Sequence, residues 1–342
     1  ARSVRPRRRR VETPADVRTV LYRGVMPPTS HPASAGGEVA GVGLTVRPLH
    51  PVFAAELAGA DLRGEPSPDL VRTVEHAMAQ YAVVVIRAQH ISDEQHIRFS
   101  RAFGPLELPP NLGMATMKRR LRPELYDASN LDENGELLDP DSPRRSYNRG
   151  NELFHTDSSF NDMPTKWSLL LAHALPPEGG NTEFVDLRAV YAGLPPETKT
   201  RLEGLVIEHY LWHSRRRGGF TDVTDEMKRL MPPVRHPMVR TAADGRRSLY
   251  VGAHASHIVG WPVDDGRALL HELHMFAAQR RYIYAHKWRD GDLVIWDNRC
   301  TLHRATGVED LRHPRDLRRT TINEHGLERA STDGRTPAQA IS

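Results

Sequence analysis

The sequence predicts a mainly β chain, a sandwich or jelly roll with helical insertions. Three observations carry that prediction. Short apolar runs at 167–172, 182–185, 248–251 and 293–295 are separated by Gly and Pro turn signals. Two helical patterns interrupt the series, one starting near Pro195 and Pro196, the other over 266–279. No internal repeat at solenoid periods is present, which sets aside the repeat architectures.

Taken in order, residues 1–43 are rich in Arg, Pro, Ser and Gly without a period, and read as a basic, disordered extension. Leu44, Thr45 and Val46 alternate as an edge strand does. Ser67 ahead of Pro68 and Asp69 marks a helix start. Its hydroxyl caps backbone N–H groups, and proline's missing donor is harmless in the first turn. Leu70, Val74, Ala77 and Met78 then fall on one helical face. Residues 82–86 are short, apolar and β-branched, as a buried strand is. Ser92 and Gln95 have capping-box spacing, and Ile97, Phe99 and Phe103 continue that helix to Gly104. Residues 108–150 form a long polar stretch, the kind of loop that serves as a lid or binding loop. Asp290-Gly291-Asp292 reads as a tight hairpin-type turn before the last strand-like run. Leu269, Leu270, Leu273, Phe276 and Ala277 give the second helical insertion its apolar face. The expected organisation is a tail over 1–43, a folded domain over 44–325 and a C-terminal tail over 326–342.

The 342 residues are 39% hydrophobic and 26% charged, enough apolar material to exclude wholesale disorder. One cysteine, Cys300, excludes an intrachain disulfide framework and any multi-cysteine zinc or iron–sulfur site. No apolar run approaches the ~18 residues that span a bilayer, so no membrane partner is expected. No apolar stretch near the N-terminus suits a secretory signal, and a cytoplasmic protein is expected. The net charge is +4, and six arginines stand within residues 1–10; taking those six away leaves −2. The basic balance therefore belongs to the tail. Such a tail can meet nucleic acid or anionic lipid, but no aromatic residue interleaves with its arginines to stack on bases.

Chemistry concentrates at Phe154-His155-Thr156-Asp157. On a strand, residues i and i+2 share a face, so His155 and Asp157 project together. A third ligand has to come from elsewhere, and His303, beyond the strand-like run that ends in Trp296, is the candidate. Two histidines and one carboxylate form the facial triad of non-haem Fe(II) oxygenases, with the other face open to cosubstrate and oxygen. The His-x-Asp pattern alone is weak in a chain with 18 histidines, where a surface turn or a hydrogen-bonded core histidine gives the same spacing.

Further segments give that pattern weight. They are Leu49-His50-Pro51-Val52-Phe53-Ala54-Ala55, Phe103-Gly104-Pro105-Leu106-Glu107 and His155-Thr156-Asp157-Ser158-Ser159-Phe160. After them come Gly179-Gly180-Asn181-Thr182-Glu183-Phe184, Gly252-Ala253-His254-Ala255-Ser256-His257 and Gly291-Asp292-Leu293. The last are Trp296-Asp297-Asn298-Arg299-Cys300 through His303-Arg304, and Arg315-Asp316-Leu317-Arg318-Arg319. From about Leu44 to Thr321 the chain resembles the TauD/TfdA family of Fe(II)/2-oxoglutarate-dependent dioxygenases, and within it the 2,4-dichlorophenoxyacetate dioxygenase branch. The resemblance implies a double-stranded β-helix, a distorted jelly roll, with His155, Asp157 and His303 as iron ligands. It implies Fe(II), 2-oxoglutarate as cosubstrate and O2. The distal carboxylate of 2-oxoglutarate would meet Arg315, whose planar fork suits it, and the Thr182 hydroxyl. The interval after His303 is one residue longer than in the family, so Arg318 and Arg312 remain alternatives. Arg319 corresponds to the family's anchor for an acidic substrate group, and Asn151 to a residue lining the substrate pocket. His213 and His257 lie in segments resembling the dichlorophenoxyacetate branch, as substrate contacts or as structural hydrogen-bonding residues. Phe154, Phe160 and Trp296 read as core. Residues 108–150 depart most from the family and should form part of the lid, so substrate identity transfers least.

The leading expectation is a dioxygenase that hydroxylates a small anionic substrate, giving succinate and CO2. An aryloxyalkanoate is the example, whose hydroxylated ether carbon would collapse with ether cleavage. Asp157 argues against a halogenase, which vacates the carboxylate position for a halide. One alternative is a natural-product tailoring oxygenase acting on an amino acid or peptide, suggested by the lid insertion. Another is a non-enzymatic β-sandwich binding protein whose basic tail contacts nucleic acid. A zinc hydrolase lacks its His-Glu-x-x-His helix here. Homo-oligomers are common among soluble enzymes, though no segment singles out an interface.

Overall fold

In the computed structural model, which describes residues 43–108, 119–307 and 312–324, local signals set the opening elements. Strands β1 (Thr45–Pro48) and β2 (Ala55–Ala58) pair antiparallel, with β1 at a sheet edge as predicted. Helix α1 (Pro68–Tyr81) starts at Ser67, whose Oγ accepts from the Leu70 N–H at 3.2 Å. Leu70, Val74, Ala77 and Met78 are its buried face. Ala82 ends the helix in the left-handed region, φ 58°, and turns the chain into β3 (Val83–Ile86). Helix α2 (Asp93–Arg101) carries the complete Ser92–Gln95 capping box and stops three residues short of Gly104.

The remaining elements are β4 (Tyr126–Asp127), α3 (Pro143–Asn148), a 3-10 turn (Arg149–Glu152), β5 (Thr165–Ala174) and β6 (Thr182–Asp186). Next come α4 (Leu187–Ala192), α5 (Pro196–Leu202), β7 (Val206–His209), α6 (Leu211–Arg217), α7 (Asp225–Leu230) and β8 (Val234–Pro237). They are followed by β9 (Val239–Thr241), β10 (Arg247–Leu249), β11 (Ala255–Ile258) and α8 (Val263–Ala277). The last are β12 (Ile283–His286), β13 (Leu293–Asp297), β14 (Thr301–Ala305) and β15 (Asp316–Asn323). The fold is mainly β with helical insertions, as the sequence predicts. The second insertion begins three residues earlier than its apolar pattern suggests.

A seven-stranded sheet runs β1-β2-β3-β13-β5-β15-β4, and a three-stranded sheet runs β12-β6-β14. A second three-stranded sheet, β11-β7-β8, and the β10-β9 pair complete the order. Strand β3 is buried on both faces. Val84 and Ile86 pack with α1, while Val83 and Val85 join Phe184, Trp296 and Leu317. Each such side chain contributes roughly 1.5–3 kcal/mol by leaving water.

One expectation fails here. Asp290-Gly291-Asp292 does not close a hairpin, because β12 pairs with β6 while β13 pairs with β3 and β5. The turn carries the chain from one sheet to the other. Gly291 is left-handed, φ 69°, and a Cβ on it would lie 3.0 Å from the Gln89 nitrogen. A turn motif encodes the reversal and leaves the pairing partner open. The arginine-rich residues 1–42 and the tail 326–342 lie outside the described residues. Among the described residues no helix is long and apolar enough to cross a membrane.

Candidate active site

His155 and Asp157 do project to one place, although not from a regular strand. His155 forms an isolated antiparallel bridge with His303 on β14, its N–H donating to the His303 carbonyl at 3.0 Å and its carbonyl accepting from the His303 N–H at 2.8 Å. Asp157 lies in the turn just after it. The bridge sets the two imidazoles side by side, ring centroids 4.2 Å apart. Asp157 reaches His155 Nε2 at 3.8 Å and His303 Nε2 at 3.7 Å. One ligand atom from each of the three buried residues lies within 4.8 Å of the others. Two imidazole nitrogens and a carboxylate oxygen converging this way fit a divalent transition metal.

The surroundings keep these donors ready. His155 Nδ1 is 2.8 Å from the Leu153 carbonyl, which fixes the proton there and leaves Nε2 its lone pair. The His303 ring is walled by Trp296 at 4.6 Å and Phe184 at 6.1 Å. Burial pushes His155 down to about 4 and His303 well below its usual value, so both rings are neutral near pH 7. Burial works most strongly against ionising Asp157, but the Arg319 guanidinium paired with it, joined by its other polar neighbours including the Ser168 hydroxyl, outweighs this and holds the carboxyl well below the usual range. Ser168 Oγ donates to Asp157 Oδ2 at 2.8 Å, and Asn298 Nδ2 donates to Ser168 Oγ at 2.9 Å. Asn298 Oδ1 accepts from the Asp157 N–H at 3.1 Å and from Trp296 Nε1 at 3.0 Å.

Two cavities meet at this centre, of about 540 and 510 Å³, and His155, Asn151 and Arg319 line both. The second is lined by Thr182, Leu170, Trp296 and Arg315. Arg315 donates to the Gly180 carbonyl at 3.1 and 3.3 Å and to the Ala128 carbonyl at 3.4 Å. Among the described residues it has no carboxylate partner, and burial lowers its pKa to about 10. Thr182 Oγ1 accepts from Trp288 Nε1 at 3.0 Å, which leaves its own proton to donate. The two alternatives to Arg315 do not reach the cavity. Arg318, on the opposite face of β15, pairs with Asp93 and Asp316, each at 2.7 Å. Arg312 is exposed and lines neither cavity.

Other expected residues fall differently. His213 and His257 line a separate depression of about 400 Å³ with Glu208, Arg216 and Arg217. His213 lies across α6 from Leu211 and Arg215, which line the larger cavity. Neither histidine lines the two cavities at the His155–Asp157–His303 cluster; for His213 the reason is that the side chains of α6 at 211 and 215 share a face and 213 points from the other. The sequence reads Phe160 and Trp296 as core. Each lines a cavity, Phe160 the larger and Trp296 the second, although Trp296 is also fully buried. Sequence reasoning missed His254, whose buried ring lies 5.8 Å from that of His155 and 4.8 Å from that of Phe160. It stands three residues before His257 in the same Gly-Ala-His-Ala-Ser-His segment, and His254 lines the larger cavity while His257 lines the separate depression. Glu107 was also missed as a site residue. This buried carboxylate accepts from Ser158 Oγ at 3.0 Å, Asn161 Nδ2 at 3.1 Å and Thr165 Oγ1 at 3.1 Å, tying down the turn that carries Asp157.

A β scaffold holding two histidines and a carboxylate beside an arginine-ended cavity defines the class of non-haem metal oxygenases. Residues 45–321 match the family described as "Taurine catabolism dioxygenase TauD, TfdA family", and the chain belongs to that family. It is 44% identical over 282 residues to the alpha-ketoglutarate-dependent 2,4-dichlorophenoxyacetate dioxygenase of Cupriavidus pinatubonensis, covering 81% of this chain and 97% of that protein. It is 34% identical over 275 residues to the (S)-phenoxypropionate/alpha-ketoglutarate-dioxygenase of Sphingobium herbicidovorans, covering 76% and 88%. Among solved structures, AAD-2 in complex with Mn(II) and N-oxalylglycine aligns with a TM-score of 0.79 at 44% identity, covering 82% of this chain and 97% of that one. The protein is an enzyme, a metal- and 2-oxoglutarate-dependent dioxygenase.

Proposed function

We propose that the protein hydroxylates a small aryloxyalkanoate at the carbon bearing the ether oxygen. The reaction consumes 2-oxoglutarate and O2 and releases succinate and CO2. The hydroxylated carbon is then a hemiacetal, which collapses to a phenol and an oxo acid. The observation that carries this reading is the meeting of two cavities at the His155–Asp157–His303 donor set, one ending in Arg315 and the other holding Arg319 among apolar walls. The names of the 44% and 34% identical relatives support the same substrate class.

His155, Asp157 and His303 would hold Fe(II), which when bound couples the oxidative decarboxylation of 2-oxoglutarate to oxygen insertion. Arg315 receives the distal carboxylate of 2-oxoglutarate. Its fork is held by two backbone carbonyls, so it is oriented before the ligand arrives, and Thr182 adds a hydroxyl donor. Arg319 receives the acidic group of the substrate, and Asn151 lines its path. Leu125, Leu138, Phe160 and Leu211 offer the aryl ring an apolar wall and exclude water. The Ser168–Asn298 chain holds the Asp157 carboxylate in place through turnover. The double-stranded β-helix is the finer description of the fold, supported by the seven-stranded sheet packing through Val83, Val85 and Trp296 onto Phe184 of the β12-β6-β14 sheet. The catalytic unit is residues 44–325. Its one cysteine, buried and unpaired, suits a reducing, cytoplasmic setting.

The test is succinate release from 2-oxoglutarate under air with added Fe(II). The panel contains aryloxyacetates, amino acids and small sulfonates, beside a His155→Ala control. Stimulation by aryloxyacetates that disappears in the control is the expected result. Stimulation confined to amino acids or sulfonates, or failure to bind Fe(II), would overturn the proposal.

A further inference from the structure

Arg215 lines the larger cavity together with His155, Asp157 and Arg319, and is only 5% exposed. Its partners are all neutral. Nη1 donates to the Tyr147 carbonyl at 3.1 Å and to Asn151 Oδ1 at 2.8 Å, and the guanidinium lies 4.1 Å over the Tyr147 ring. Its Nε is buried without a hydrogen-bond partner. Among the described residues no carboxylate pairs with it. A guanidinium taken out of water without a counter-ion is costly unless a ligand supplies the charge.

The backbone is shaped to admit it. A Cβ on Gly150 would lie 2.5 Å from Arg215 Nη1, and one on Gly218 would lie 2.6 Å from the Gly150 nitrogen. These two glycines let the 3-10 turn and the end of α6 close on each other with the guanidinium between them. The bond to Asn151 has a directional consequence. Because Asn151 Oδ1 accepts from Arg215, the amide's Nδ2 donors are what it offers to the cavities it lines.

We propose that Arg215 is a specificity-determining positioning residue. Its charge and its grip on the Asn151 amide make the chamber select a carboxylate, which Arg319 receives with the Asn151 N–H donors beside it, over a neutral isostere. This rests on the aryloxyalkanoate reading. The wild-type holoenzyme favours phenoxyacetate over phenoxyacetamide in kcat/KM. Arg215→Gln, which keeps a hydrogen-bond donor and loses the charge, lowers that ratio about tenfold through the KM of phenoxyacetate. Its KM for 2-oxoglutarate stays within about twofold and Arg215→Lys restores part of the ratio. Asn151→Ala, on a half-buried position, lowers the same ratio and supplies the reading if Arg215→Gln fails to fold. An unchanged ratio in either variant overturns the proposal, as does an equal loss for acid and amide, which marks a packing role. These failures leave wild-type phenoxyacetate turnover intact. A wild type that turns over neither compound, while another class stimulates succinate release, overturns the aryloxyalkanoate reading and this inference with it.

Discussion

Glu107 gives the most structure-specific prediction. Its carboxylate is 5% exposed and accepts three hydrogen bonds, two on Oε1 from Ser158 and Asn161 and one on Oε2 from Thr165. Ser158 directly follows Asp157, the proposed carboxylate ligand, and is held in the left-handed region, φ 50°. For a non-glycine residue that conformation costs about 1–3 kcal/mol and persists only where neighbours enforce it. Glu107→Ala leaves three buried donors without acceptors, at about 1–3 kcal/mol each before relaxation, so a loss of about 3–5 kcal/mol is expected. In Glu107→Gln the amide oxygen keeps Ser158 and Asn161, and the Thr165 hydroxyl turns to accept from the new NH2 group. Only charge assistance is lost, about 1 kcal/mol. Urea unfolding measures both, and Mn(II) titration reads the metal site. Glu107→Ala should weaken Mn(II) binding about tenfold, as the freed turn no longer aims Asp157, with Glu107→Gln close to wild type. Equal destabilisation by the two variants, or Mn(II) binding unchanged in Glu107→Ala, would refute the reasoning.

Arg315→Lys keeps the charge and loses the fork, and should raise the KM for 2-oxoglutarate by roughly 10–100-fold. Arg318→Gln, altering a residue committed to Asp93 and Asp316, should leave that KM within about twofold; equal effects would contradict the choice of Arg315. The buried ring of His96 is held down to about 3 by burial, against 6.5 for an unperturbed ring. As pH falls from about 6.5 to 3 the unfolded chain takes up the proton and the folded chain does not, so stability falls across that window by about 1.4 kcal/mol per unit. His96→Gln should make the plot of unfolding free energy against pH shallower there, and an unaltered slope would contradict the assignment.

The elements legible in the sequence are those whose signal is local. Ser67-Pro68 and Ser92–Gln95 mark helix starts by hydrogen bonds within one turn, and the apolar runs at 82–86 and 167–172 need only burial. Pairing is not local. Nothing near residue 293 says that β13 inserts between β3 and β5, which is why Asp290-Gly291-Asp292 reads as a hairpin. Helices α3, α4, α6 and α7 have six or seven residues, too short to show a period or to be stable without tertiary contacts. The proposed His155–Asp157–His303 triad is legible from chemistry, although a bridge between His155 and His303, and not strand periodicity, sets its geometry. Arg315 and Arg318 could not be separated without the strand's register, since an odd shift moves a side chain to the other face. Glu107, Arg215 and His254 carry no pattern of their own, because their roles arise from residues 51 or more positions away in the chain or from a cavity that only the fold creates.

The most direct test of the central claim is product stoichiometry. Phenoxyacetate, 2-oxoglutarate and Fe(II) are incubated with the enzyme under air, and phenol and succinate are counted together. Wild-type enzyme should release them in equal amounts, and Asp157→Ala should release neither above background. Succinate without phenol in the wild type, or wild-type-like succinate in Asp157→Ala, would contradict the account.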